Sequence, residues 1–215
     1  TLLPNINAIM KKLLTTLAVS GAIAASANAA VTIVNPNFDA ANLADNTFQA
    51  GAPTGWTLAG AGGVVDPGLA TNSAKATSGT DVAYVAGGLT TLSQNLAVVS
   101  DMNVGDIITF TFDAWRNQSG TQTVLVNFAG LGAQAVTLGT GTAADANGGV
   151  ENNVIQFTLT SAITTADTPQ LIFTHSGGAQ TRLDTIATSV TQIPEPSSTA
   201  LLGLAGLGLL LRRRK

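Results

Sequence analysis

The stretch Asp106-Ile-Ile-Thr-Phe-Thr-Phe-Asp-Ala-Trp115 decides the fold class. Side chains of a β-strand alternate between two faces, so Ile108, Phe110, Phe112 and Ala114 share one side, and Thr109, Thr111, Asp113 and Trp115 share the other. One apolar face and one polar face describe a strand at the wall of a sandwich, with the phenylalanines entering the core. Asn153–Thr160 repeats the pattern, with Ile155, Phe157 and Leu159 directed inward.

Similar short runs flank this stretch: 31–34, 81–86, 91–99, 123–128, 134–138, 170–175 and 183–190. They are rich in Val, Ile, Thr and Phe and are separated by Gly, Asn and Asp turns. No window between Val31 and Val190 carries a 3.6-residue apolar period. The sequence therefore predicts an all-β domain: a single antiparallel β-sandwich, jelly-roll-like, with about nine strands and no helices. Two Gly-rich stretches, 58–80 and 138–153, read as long loops. Trp56 and Tyr84 read as core residues, and His175, the one histidine, as a strand-end residue near the surface.

Composition narrows the function. Of nine basic residues, Lys11 and Lys12 lie near one end and Arg212, Arg213, Arg214 and Lys215 at the other. The part between holds three basic residues against eleven acidic ones, a net charge of −8. Such a surface repels phosphate backbones, which argues against nucleic acid as a partner. There is no cysteine, hence no disulfide and no cysteine nucleophile, and neither a GxSxG nor an HExxH motif occurs. The domain reads as non-catalytic.

The ends read as addresses. Met10, Lys11 and Lys12 precede an apolar run and an A-x-A motif, Ala27-Asn28-Ala29, which is the order of parts in a signal peptide. On this reading residues 1–9 are an upstream mis-start, 10–29 the signal helix removed by signal peptidase, and 30–192 the sandwich domain. At the other end Pro194-Glu195-Pro196 stops any strand, and an apolar helix over 197–211 is followed by the basic block. Four adjacent cations match the cytoplasmic end of an inner-membrane anchor.

This tail, 193–215, resembles a PEP-CTERM sorting domain, whose family model is also known as the ice-binding protein C-terminal domain. The match rests on Pro194, Glu195, Pro196 and the arginines 212–214. The resemblance implies recognition and cleavage by an exosortase of a Gram-negative bacterium. The chain would be anchored transiently in the membrane, then released to the cell surface or the extracellular matrix. It implies nothing about ice.

Within the domain, Val34–Asn42 (VNPNFDAAN), Gly55-Trp56 and Arg182–Thr188 (RLDTIAT) are similar to the opening, middle and closing segments of galactose-binding-like jelly rolls, the fold of many carbohydrate-binding modules. That resemblance implies adjacent termini sharing a structural Ca²⁺, with Asp39 and Asp184 as ligands, helped by Asn37 or a carbonyl. Trp115 has two readings: outward beside Asp113 as a ligand platform, since an indole face can stack on a sugar ring, or folded over the sandwich edge as core, where most tryptophans lie. The expected function is an exported matrix protein associating with exopolysaccharide. Two alternatives stand beside it: a glycan-acting enzyme with a carboxylate site built from loops, and a purely structural or adhesive surface protein.

Overall fold

Alternating β-branched, aromatic and polar residues draw the chain into eleven strands and one 3-10 turn. The strands are β1 (Val31–Thr32), β2 (Phe48–Ala50), β3 (Thr57–Val65), β4 (Val82–Asn95), β5 (Ala97–Val98), β6 (Ile107–Arg116), β7 (Gln122–Phe128), β8 (Ala133–Leu138), β9 (Glu151–Thr158), β10 (Gln170–Ser176) and β11 (Thr181–Thr191). The turn covers Asp39–Ala41. These elements come from a computed structural model, which describes residues 30–66, 81–116, 122–138, 151–178 and 180–193. The segment expected as a signal peptide, with Ala27 and Ala29, and the sorting segment, with Pro194, Glu195, Pro196 and Arg212–Arg214, lie outside the described residues. Among the described residues no helix is long and apolar enough to cross a membrane.

Every pairing between these strands is antiparallel. The main ladder runs β8-β7-β10-β4-β11-β6-β9, with β3 also on β4 and β2 beyond it. β4 serves two layers. Its first half pairs with β11 through Ala83–Val85 and its second half with β10 through Leu89–Asn95. The corner falls at Gly87, whose φ of 66° suits glycine and lets the strand turn without reversing. Opposite it, β3 slips register between Ala59 and Ala61. The Thr90 hydroxyl fills the gap, accepting from the Ala61 N–H at 3.3 Å and donating to the Ala86 carbonyl at 2.9 Å.

The result is a front layer, β2-β3-β4-β11-β6-β9, packed on a back layer, β4-β10-β7-β8. Phe110 and Phe112 of the front meet Phe128 and Phe173 of the back, with ring centroids 5.1 and 5.2 Å apart. On the open side the Gln134 amide of β8 donates to the Gln156 carbonyl of β9, so the sheet nearly closes on itself.

The all-β sandwich is as expected, with three corrections of detail. Residues 58–65, read as loop, are most of β3; runs of Ala and Gly there hid the alternation. The runs 81–86 and 91–99 were expected as two strands, yet β4 is continuous to Asn95, because Gly87-Gly88 bends it rather than turning it back. The described strands number eleven rather than nine: two expected runs merge into β4, while β2 and β3 are added and β5 stands apart from the run 91–99. Trp56 is core as expected, 5.4 Å from Phe38 and 6.2 Å from Phe173. Tyr84 is not: it faces outward and is half-buried.

His175 is fully buried rather than at the surface. Its Nδ1 lies 2.6 Å from Gln122 Nε2 and 3.0 Å from Thr181 Oγ1. Burial, partly offset by a hydrogen bond with the Gly177 backbone, holds its pKa below the ordinary value. An unfolded histidine takes its proton below about pH 6.5. The folded ring resists, so its contribution to stability is complete above that pH and is lost as pH falls toward the folded pKa. Urea midpoints at pH 7.5 and 5.0 should therefore differ more for the native protein than for His175→Asn.

Candidate functional site: the outer face of the front sheet

β11 lies between β4 and β6, and its register places three side chains in one row. Arg182 is opposite Tyr84 on one side and Trp115 on the other. In the next row of the same face, Asp184 is opposite Asp113, with Val82 and Val65 on its other flank. Val82, Val65 and Trp115 pack as a small apolar cluster separate from the main core.

Trp115 thus faces outward with Asp113, as the alternation requires, yet it is only 3% exposed and packed with Val82 and Val65, so its indole face is not the open platform the sequence suggests. Arg182 is 5% exposed, and Asp184 is fully buried. Desolvation lowers the Arg182 pKa to about 10. Arg182 Nε and Nη1 and Trp115 Nε1 are buried without a hydrogen-bond partner. Buried donors are ordinarily paired, and leaving them open costs about 1–3 kcal/mol each. Beside the row a groove of about 250 Å³ is lined by Phe48, Val65, Tyr84 and Gln180. Phe48 is 70% exposed there, an aromatic face offered to solvent. Phe48 and Tyr84 offer an aromatic wall to a ring, and the Arg182 and Trp115 donors lie buried in the adjoining row.

Acidic residues gather where β3 ends and β4 begins. The Asp81 N–H donates to Asp39 Oδ1 at 3.1 Å, and Asp81 Oδ2 accepts from the Leu43 N–H at 3.1 Å. Asp81 Oδ1 is buried with no partner. Burial first, then the charges of Asp66 and Asp39, push the Asp81 pKa up against the pull of the Leu43 hydrogen bond. A hard cation fits the charge and the open oxygen at this place. Among the described residues no three His, Asp or Glu side chains form a metal-ligand set by themselves, so backbone carbonyls would have to complete it. The structure joins Asp39 to Asp81 and Asp66, whereas Asp184 stands opposite Asp113, its Oδ1 accepting the Thr185 N–H at 2.7 Å.

Asp66, Asp81 and Arg182 escaped the sequence reading. The one signal for Arg182 was a lone cation inside a strand-like run. The carboxylates are 42 residues apart from Asp39 to Asp81 and carry no shared motif.

Among curated proteins none matches the chain. Solved structures similar to it include a family 61 carbohydrate-binding module, TmCBM61, in complex with β-1,4-galactotriose. It has a TM-score of 0.47 and 16% identity, over 74% of this chain and 98% of that one. The CBM22-1 xylan-binding domain of Paenibacillus barcinonensis Xyn10C has a TM-score of 0.44 and 14% identity, over 71% and 99%. The Agl-KA catalytic domain has a TM-score of 0.40 and 9% identity, over 72% of this chain and 30% of that one. Residues 192–215 match the PEP-CTERM protein-sorting motif, which implies an exported protein with a transient C-terminal anchor. Residues 29–170 match the HpiC1-like family model, described as HpiC1 cyclase, and the chain belongs to that family.

Proposed function

We propose that this is an exosortase-processed protein of the cell surface or extracellular matrix whose sandwich binds extracellular polysaccharide, without catalysis, on the outer face of the front sheet. The observation that carries this reading is the row Tyr84–Arg182–Trp115, with its buried, unpartnered donors beside an aromatic-walled groove. Sugar hydroxyl and ring oxygens accept such hydrogen bonds, and Phe48 and Tyr84 offer surfaces for a pyranose. The test is co-sedimentation of the protein with exopolysaccharide from the producing organism. The native protein should pellet with the glycan, and Arg182→Met should remain in solution.

A second reading, an enzyme at the same face, is favoured by one observation. Asp113 and Asp184 are directly opposite across β6 and β11, a spacing of about 5 Å between Cβ atoms. Two such carboxyls suffice for acid–base chemistry, and the family description names a cyclase. Asp184→Asn would then abolish turnover and leave binding intact, whereas a pure binder would show no turnover to lose.

Calcium belongs to this proposal as a structural ion, with Asp39, Asp81 and Asp66 as its carboxylates; Asp184, the other ligand implied by the jelly-roll resemblance, stands instead opposite Asp113. The folded Asp81 keeps its proton more tightly than an unfolded aspartate, so ionising it costs stability above about pH 4. A bound cation would offset that cost. Melting with Ca²⁺ and again with excess chelator should give a midpoint several degrees lower in chelator. Equal midpoints would refute the ion.

A further inference from the structure

A second cleft lies where the β7–β8 turn meets the connection from β9 to β10, bordered by the outer face of the back sheet. Asn127 of β7 is opposite Ile172 of β10. Each is one residue from a core phenylalanine, Phe128 and Phe173, so both side chains leave the core on the far side of the sandwich. With Leu131, Ile163, Pro169 and Asp167 they line a cleft of about 550 Å³. That volume is ordinary for a small-molecule site.

The cleft is framed rigidly. The Ala129 N–H donates to the Gln170 carbonyl at 2.9 Å, and the Leu131 N–H to the Phe128 carbonyl at 2.9 Å. Ile163 and Met102 exchange backbone hydrogen bonds of 3.0 and 2.8 Å. The Asp167 carboxylate is fixed by the Thr164 N–H at 2.7 Å and the Thr164 hydroxyl at 2.8 Å, which hold its pKa below the usual carboxylate range. Inside this frame Asn127 Oδ1 is buried and has no partner.

From this geometry we infer that the cleft is a second saccharide site, separate from the front-sheet row, which makes the domain bivalent and able to cross-link glycan chains. An apolar wall of Leu131, Ile163, Ile172 and Pro169 suits the C–H face of a sugar ring. Asn127 and the ionised Asp167 accept hydrogen bonds from its hydroxyls. No basic side chain is among the described residues that line it, so an anionic ligand is disfavoured. A hydroxyl both donates and accepts, and so satisfies the Asn127 amide in either orientation. A buried amide oxygen left open is costly without a ligand, and replacing such a group by an apolar one is near neutral or stabilising.

The inference shares with the proposed function only its ligand class. The test is a titration of the full chain, ¹⁵N-labelled in zwitterionic micelles, with cellotriose and separately with maltotriose, followed by amide shifts. Either sugar should move Asn127, Leu131, Ile163 and Ile172. Asn127→Leu should abolish those shifts while its melting temperature stays level or rises. Arg182→Met should leave them intact, so a failure of the front face and a failure of this cleft read differently. The proposal is overturned by silence from both sugars, by shifts with spermidine alone, by their loss in Arg182→Met, or by a lowered melting temperature in Asn127→Leu, which would make the amide structural.

Discussion

Phe110→Ala is expected to lower the unfolding free energy by about 3–5 kcal/mol, the range for emptying a buried phenylalanine site. Phe110 is fully buried at the centre of β6 and joins the two layers. Its ring is tilted against Phe128 at 5.1 Å and edge-on to Phe157 at 6.2 Å. Truncation removes both aromatic contacts and leaves a void that β6, hydrogen-bonded on both sides by β9 and β11, cannot collapse to fill. For a domain of this size the melting temperature should fall by about ten degrees or more. A fall of only a degree or two would mean that the two layers do not meet at Phe110.

Gln94→Leu should cost about 2–4 kcal/mol, by a different route. Gln94 is a buried polar side chain on β4 with every contact directed at the N-terminal segment. Its Oε1 accepts from the Val34 N–H at 2.8 Å, and its Nε2 donates to the carbonyls of Val34 and Gly55 at 2.9 Å each. Trp56 Nε1 also donates to Val34, at 3.1 Å, so that carbonyl stays paired in the variant. The Val34 N–H and the Gly55 carbonyl do not. Leucine conserves the volume, so the loss measures hydrogen bonding rather than packing. The segment released is the one that carries Asp39 to Asp81. Denaturant unfolding gives the energy, and amide exchange at Val34 should quicken in Gln94→Leu but not in Phe110→Ala.

The core of β6 was legible because its alternation is unbroken: Ile108, Phe110, Phe112 and Ala114 are all buried, while Thr109, Thr111 and Asp113 are half-buried on the other face. The same holds for Ile155, Phe157 and Leu159. β3 was not legible, since Ala59 to Gly63 has almost no side chain to alternate and is held as a strand by its ladder to β4. Nor was the site. Trp115 could be assigned to a face, but its burial depends on what lies over that face, and Arg182 reaches the row only through register with Tyr84 and Trp115. The burial of His175 has the same origin, because Gln122 and Thr181 meet it from β7 and β11. Periodicity shows which way a side chain points, and register across strands decides what it meets.

On the proposed reading the donors of Arg182 and Trp115 are kept unpaired for a glycan. Binding of the organism's exopolysaccharide, measured together with the melting temperatures of the native protein and Arg182→Met, tests it most directly. Arg182→Met should lose binding while its melting temperature is unchanged or higher, because a buried cation with two open donors has been removed. Undiminished binding by Arg182→Met, or no binding by the native protein, would contradict it.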